Sequence, residues 1–115
     1  MSALSRNAIS WNNNFNPTKN VESIAITPAS GLITITYNTG GDGLEALTGA
    51  NVITLTPSIN LGTSAAPNYT ALSDTINGNM DWGCASAINE TATARGLLIL
   101  SAGSVAPRYA PSECK

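Results

Sequence analysis

Two cysteines, one in mid-chain and one at the next-to-last position, constrain this 115-residue sequence more than any other feature. Cys84 and Cys114 stand thirty positions apart, and the sequence contains no histidine. Structural zinc needs about four Cys or His ligands, so zinc is excluded by ligand count. Two alternatives remain for these cysteines: a pair of free buried thiols, or one disulfide. A penultimate thiol is hard to keep buried unless the tail is pinned, which favours the disulfide and an oxidising compartment.

The composition describes a small, weakly charged domain. Charged residues make up 10% of the chain and the net charge is −2, against about 25% charged residues in an average globular protein. No segment clusters the basic residues, so a nucleic-acid surface is not expected. The longest apolar run, 97–100, is far shorter than the roughly 20 residues of a membrane span. Residues 1–115 are therefore expected to form one domain, and no apolar leader follows Met1.

The residues that enzymes commonly use are scarce. Histidine is absent, and the seven carboxylates are scattered, with Asp42 and Glu45 the closest in sequence. The segment Gly40–Gly43 lacks the lysine and the following helix of a phosphate-binding loop, and it has too few carboxylates for a usual calcium loop, which favours a turn. The sequence predicts no enzyme, no catalytic residues, no cofactor and no metal.

The first residues have the spacing of a helix. Leu4, Ala8 and Trp11 would form one apolar stripe, which predicts the last turns of a helix over residues 2–11. The three asparagines of 12–14 favour a loop after it. A disordered N-terminal tail is the alternative.

Four segments alternate with a period of two, which predicts strands: 20–27, 32–37, 51–56 and 80–84. Their apolar positions are predicted to share a covered face: Ile24, Ile26, Ile33, Ile35, Tyr37, Ile53, Leu55, Met80, Trp82 and Cys84. Thr34, Thr36, Thr54 and Thr56 would face outward. The expected fold is α+β, a four-stranded antiparallel sheet covered by a helix. Loops are expected over 57–78, with a helical turn near 72–76, and over 85–113.

The long C-terminal loop also contains candidate contact residues. Arg95 and Arg108 are candidates for contact with a partner, although ordinary solvated side chains are the alternative. Asn68-Tyr69-Thr70 and Asn89-Glu90-Thr91 fit the N-glycosylation pattern, which indicates exposed loops more than attached sugar.

The C-terminal segments resemble those of a known family. Trp82-Gly83-Cys84, followed by the run 107–114 (Pro-Arg-Tyr-Ala-Pro-Ser-Glu-Cys), is similar to the end of type IV major pilins. The runs 16–27, 31–37 and 53–57 resemble the loop and first strands of the same family. The resemblance covers most of 16–114, with uncertain correspondence at 40–50 and 61–77.

The resemblance implies an extracellular filament subunit. It implies a four-stranded sheet packed on a long helix, and a disulfide between Cys84 and Cys114 that encloses the surface-exposed loop 85–113. The expected partners are other pilin subunits in a homo- or hetero-polymer on the cell surface, assembled from the periplasm or inner membrane. Contact with neighbours, and adhesion in some members, are attributed to this loop.

One departure from the family is marked. The hydrophobic helix with which pilins begin is missing, and only residues 2–11 could belong to it. Either that helix has been removed, or this chain is the head of a split pilin that pairs with a separate short helical pilin. The second reading predicts an exposed apolar groove on the sheet. The alternative functions are a secreted surface-recognition or carbohydrate-binding β module, and a type II secretion pseudopilin.

Overall fold

The chain begins with a helix, continues into an antiparallel sheet and ends in a loop with short helical turns. The computed structural model describes residues 3–115. The α-helices and strands are α1 Ala3–Asn14, β1 Val21–Ile26, β2 Ile33–Tyr37, β3 Val52–Asn60, β4 Tyr69–Ala71, β5 Asn79–Ala85 and α2 Glu90–Ala94, with 3₁₀ turns at Glu45–Leu47, Pro107–Tyr109 and Ser112–Cys114. The predicted α+β class is confirmed. Within residues 3–115, neither α-helix combines the length and hydrophobicity that crossing a bilayer requires.

The register of the sheet brings the apolar residues of four strands to one face. Ile24 lies opposite Ile35, which in turn lies opposite Ile53. Residues directly opposite in an antiparallel pair point to the same side of the sheet. The "apolar face" is the side that carries these residues and their neighbours in alternate positions: Ile24, Ile26, Ile33, Ile35, Ile53, Leu55, Pro57, Ile59, Met80, Trp82 and Cys84.

The central strand β3 is longer than predicted, and the sheet has five strands rather than four. The prediction of a loop over 57–78 is wrong in two places: β3 continues to Asn60, and β4 lies within the segment. Pairing with β2 ends at Leu55 and pairing with β4 begins at Ser58. Pro57 lies in the gap between these two neighbours, where its missing N–H removes no bond, so a proline is tolerated in a central strand.

The opposite side of the sheet, the "threonine face", is the more deeply buried one. Thr54 and Thr56 are 2% and 0% exposed, so the prediction that they face solvent is wrong. The segment 97–104 lies over them: Thr54 Oγ1 donates to the carbonyl of Ser101, and the N–H of Leu100 donates to Thr56 Oγ1 at 3.1 Å. The hydroxyls of Thr54 and Thr56 can be buried because each of these two finds a main-chain partner.

Helix α1 runs three residues past its predicted end at Trp11. The side-chain amide of Asn14 donates to the carbonyl of Ser10 at 2.7 Å, and Asn12 bonds to β1. These tertiary and capping bonds offset the poor helix propensity of asparagine. Of the predicted stripe, Ala8 is 1% exposed and Leu4 is half-buried, whereas Trp11 is 43% exposed. Ser2, where the predicted helix begins, lies outside the described residues.

Strand β5 follows the predicted alternation, but its predicted burial is wrong at two positions. Cys84 is buried, whereas Met80 and Trp82 are 52% and 41% exposed. The three side chains share the apolar face. The described chain covers that face at Cys84, near the end of β5, and leaves it open at Met80 and Trp82, nearer the start of the strand. The loop predicted over 85–113 also begins one residue later, since Ala85 closes β5, and it contains α2 and two of the 3₁₀ turns.

Candidate functional site

The C-terminal loop is closed by a covalent bond at its base. Cys84 on β5 and Cys114 in the last 3₁₀ turn form a disulfide with Cα atoms 4.5 Å apart. The bond lies in the hydrophobic core, whose buried members are Leu47, Ile53, Cys84, Val105, Ala110 and Cys114. The tail is therefore fastened to the last strand from inside the core.

Main-chain hydrogen bonds hold the same tail from its other side. The N–H of Ser86 donates to the carbonyl of Cys114 at 2.9 Å, and the N–H of Thr91 donates to the carbonyl of Lys115 at 2.8 Å. Ser86 is fully buried. The two ends of the loop are thus held together by both a covalent bond and hydrogen bonds.

A polar cluster joins this loop to the strands. Arg95, just after α2, pairs with Asp81 at 3.1 Å and with Glu113 at 3.5 Å. Asp81 also accepts a hydrogen bond from the Tyr69 hydroxyl at 3.1 Å. Partial desolvation, and then the bond to Asp81, raise the pKa of Tyr69. The ion pairs are half-exposed and contribute roughly 0–1 kcal/mol each, so they orient the loop more than they stabilise the fold.

The other candidate arginine, Arg108, lies against an aromatic ring. Its guanidinium carbon is 4.8 Å from the centre of the Tyr109 ring, within the range of a cation–π contact. Tyr109 also lines an open cleft of about 430 Å³ with residues 43–47 of the β2–β3 connection. Both arginines are exposed, and Arg95 is also engaged in ion pairs.

The described chain covers the apolar face of the sheet only in part. Of the six isoleucine and leucine residues predicted to form an exposed groove, Ile53 is buried and the other five are half-buried. Met80 and Trp82 continue the same face and are exposed. The Cα positions span 46 × 33 × 16 Å. The shortest of these dimensions is small for a sheet with a layer packed on each side, because two packed layers alone lie about 10 Å apart.

Comparison with known proteins assigns this arrangement to a family. The family model for pilin, a bacterial filament protein, matches residues 2–115. The chain belongs to the pilin family. A crystal structure of a type IV pilin from Pseudomonas aeruginosa is similar to it, with a TM-score of 0.81 and 34% sequence identity over 97% of this chain and 78% of that one. No curated protein matches.

The family assignment confirms the resemblance that the sequence indicated. The short N-terminal helix, the antiparallel sheet and the disulfide-closed loop of this pilin are those of the type IV pilin fold. As a pilin it is a filament subunit, and subunits of this family assemble with other pilins.

The remaining sequence candidates are the two asparagines of the glycosylation patterns and the glycine-rich turn. Asn68 is exposed in the β3–β4 connection, whereas Asn89 is half-buried and accepts a hydrogen bond from Thr93 at 3.0 Å. Gly40–Gly43 is a turn in which the N–H of Gly43 donates to the carbonyl of Gly40 at 2.8 Å. Within residues 3–115, no three His, Cys, Asp or Glu side chains converge as a metal site would require.

Sequence reasoning missed the polar residues that position the loop of this pilin. Ser86, Tyr69 and Asp81 are each unremarkable in a chain rich in polar residues. Their roles come from distant partners, 28 positions away for Ser86 and 12 for the Tyr69–Asp81 pair. One signal was available: a strand that places Asp81 next to Met80 and Trp82 puts a charge where a partner is needed.

Proposed function

We propose that this pilin is the head of an extracellular type IV pilus subunit, with its disulfide-bounded loop on the filament surface. Its apolar face would rest on a hydrophobic pilin helix, supplied either by the same chain or by a separate short pilin. Its work would be structural, in polymer assembly and in the contacts of the assembled fibre, and not catalytic. The head would follow the usual route from the inner membrane and periplasm to the cell surface.

The exposure of Trp82 and Met80 is the observation that carries this proposal. Both lie on the side of the sheet that also carries the half-buried isoleucines of β1 and β2. If roughly 400–600 Å² of this face were covered by a helix, burial would contribute on the order of 10 kcal/mol at about 25 cal/mol per Å². Helix α1 has 12 residues, about 18 Å in length, and its contacts with the sheet are mainly with β1.

The loop has the character expected of the filament surface. It is fastened at both ends, and Tyr109 and Leu100 are about half exposed. A surface fixed by a disulfide and hydrogen bonds can contact neighbours or other surfaces with little loss of conformational entropy. In this proposal, the assembled fibre makes contact with other surfaces through these loops, and no separate binding module is needed.

Immunogold labelling of source cells tests the proposal. Antibody raised against the folded head should label sheared surface filaments along their length. Label confined to the soluble secreted fraction would support the recognition-module alternative, and label confined to the periplasm would support a secretion pseudopilin. Either result would overturn the pilus assignment.

The mass of the subunit in purified filaments decides how the helix is supplied. A head-containing chain heavier than the 11.8 kDa of this sequence means that the helix is part of the same chain. A chain of this mass, together with a second short chain whose sequence contains the hydrophobic pilin helix, means a split pilin. Filaments that contain neither a heavier head-containing chain nor a second chain with the hydrophobic helix would contradict the packing of a helix on this sheet.

A further inference from the structure

The outer edge of β1 is satisfied by side chains instead of a strand. Among the described residues, β1 pairs with β2 on one side, and α1 lies along the other. An open strand edge presents main-chain N–H and C=O groups that another chain can pair with. The groups that turn away from β2 therefore need partners of some kind.

Asn12 binds the last residue of β1, Ile26, as a peptide group of a neighbouring strand would. Its Oδ1 accepts from the N–H of Ile26 at 2.8 Å, and its Nδ2 donates to the carbonyl of the same residue at 2.8 Å. A side-chain amide has the same donor and acceptor as a main-chain peptide, so Asn12 occupies both positions that a neighbouring strand would use. Two residues along, the indole N–H of Trp11 donates to the carbonyl of Ile24 at 2.8 Å.

Other side chains bind main-chain groups on either side of Ile24 and Ile26 along the chain. The hydroxyl of Ser5 donates to the carbonyl of Pro28 at 2.8 Å. At the start of β1, Thr18 bonds to both main-chain groups of Val21, and a register shift follows between Val21 and Ser23. Such bulges protect strand edges. Ile24 and Ile26, the regular part of the strand, depend on α1 for the same protection.

We propose that the outer edge of β1 is a strand-pairing surface that α1 keeps closed, with Asn12 as the residue that closes it. Once opened, the edge would take β1 of a second copy of this chain.

Three properties of β1 favour a second copy as the occupant. Its sequence, Val-Glu-Ser-Ile-Ala-Ile, has no lysine or proline to oppose pairing and only Glu22 as a charge. β-Branched residues at both ends and at Ile24 favour an extended conformation. Two identical edges can also pair antiparallel about a two-fold axis, so the main-chain donors of each copy meet the acceptors of the other.

Amide exchange measured by NMR tests whether Asn12 closes the edge. Asn12→Leu keeps the size of the side chain and removes both hydrogen bonds to Ile26. We expect exchange of the Ile26 amide to be about tenfold faster or more, because the variant leaves this N–H without its acceptor. Asn13→Leu is the matched control, since Asn13 is exposed and makes no side-chain hydrogen bond to β1 in residues 3–115. Equal exchange in the two variants would overturn the proposal.

Analytical ultracentrifugation tests the predicted occupant. The variant Trp11→Phe/Asn12→Leu removes all three bonds to Ile24 and Ile26, and it should dimerise as concentration rises while the disulfide stays intact. Adding Ala25→Lys, which places a charge at an exposed position of the edge strand, should restore the monomer. The proposal fails if the first variant stays monomeric, if Asn13→Leu dimerises equally, or if Ala25→Lys has no effect.

Discussion

The carbonyl oxygen of Cys114 accepts two hydrogen bonds from Ser86, one from the main-chain N–H at 2.9 Å and one from the side-chain hydroxyl. Ser86 follows directly after β5, where Cys84 forms the disulfide. The covalent bond and the two hydrogen bonds therefore join the same two short segments. The tail would remain partly fastened without either one.

Replacing Ser86 with alanine should weaken the tail without opening the disulfide. The variant leaves the Cys114 carbonyl with the main-chain donor alone in a fully buried site. We expect the free energy of unfolding to fall by about 1–2 kcal/mol in urea titrations. Ser112→Ala, at an exposed position of the same tail, is the control and should be near neutral. Equal losses in both variants would mean that the Ser86 hydroxyl has no special role.

Reduction of the Cys84–Cys114 bond should have the larger effect. Closing a loop of this length stabilises a fold by roughly 3–4 kcal/mol in the chain-entropy model, so reductant should lower the free energy of unfolding by that amount. Intact mass should rise by about 2 Da on reduction, with no change in oligomeric state. The variant Cys84→Ser/Cys114→Ser should resemble the reduced protein and should not respond to reductant. Two alkylatable thiols in the untreated protein would contradict the disulfide.

The alternation of residues along the strands was enough to predict which side chains share a face. The rows Ile24–Ile35–Ile53 and Ile26–Ile33–Leu55 follow from a period of two combined with antiparallel pairing. Which face is covered does not follow from that pattern, because it depends on where distant segments lie. The segment 97–104 covers the threonine face, and Gly83 and Gly103 permit its close approach.

The elements that the sequence did not predict are stabilised by tertiary contacts. Strand β4 has 3 residues, too few for a periodic signal, and exists because Ser58–Asn60 offers it an edge. The last turn of α1 likewise depends on the bond between Asn12 and Ile26, a contact between residues 14 positions apart. Local propensity carries no information about either partner.

Gly103→Ala should displace the segment that covers the threonine face. A Cβ at this position would lie 2.4 Å from the carbonyl oxygen of Val52 and 2.7 Å from that of Ala85. Both are main-chain atoms of the sheet and cannot move aside easily, so we expect a loss of roughly 1–3 kcal/mol. Faster amide exchange at Leu100, which donates to Thr56, should accompany it. Gly40→Ala, whose nearest contact would be 3.8 Å away, should change neither measurement.

Tyr69→Phe should flatten the dependence of stability on alkaline pH. The pKa of Tyr69 in the folded protein lies above its ordinary value of 10.0, first because of partial desolvation and then because of the bond to Asp81. A raised folded-state pKa stabilises the fold fully below the unfolded pKa, and this contribution is lost as pH rises through the folded pKa. The free energy of unfolding should therefore fall more steeply above pH 10 in the wild type than in the variant. Asp81→Asn removes a carboxylate that raises the pKa of Tyr69, so the Tyr69 phenol should titrate at lower pH in this variant.

The titration of Tyr69 is followed by phenol absorbance. Its signal is the difference between the protein with Tyr69 and the same protein carrying Tyr69→Phe, measured both with Asp81 and with Asp81→Asn. An unchanged titration in Asp81→Asn would show that Asp81 does not act on Tyr69.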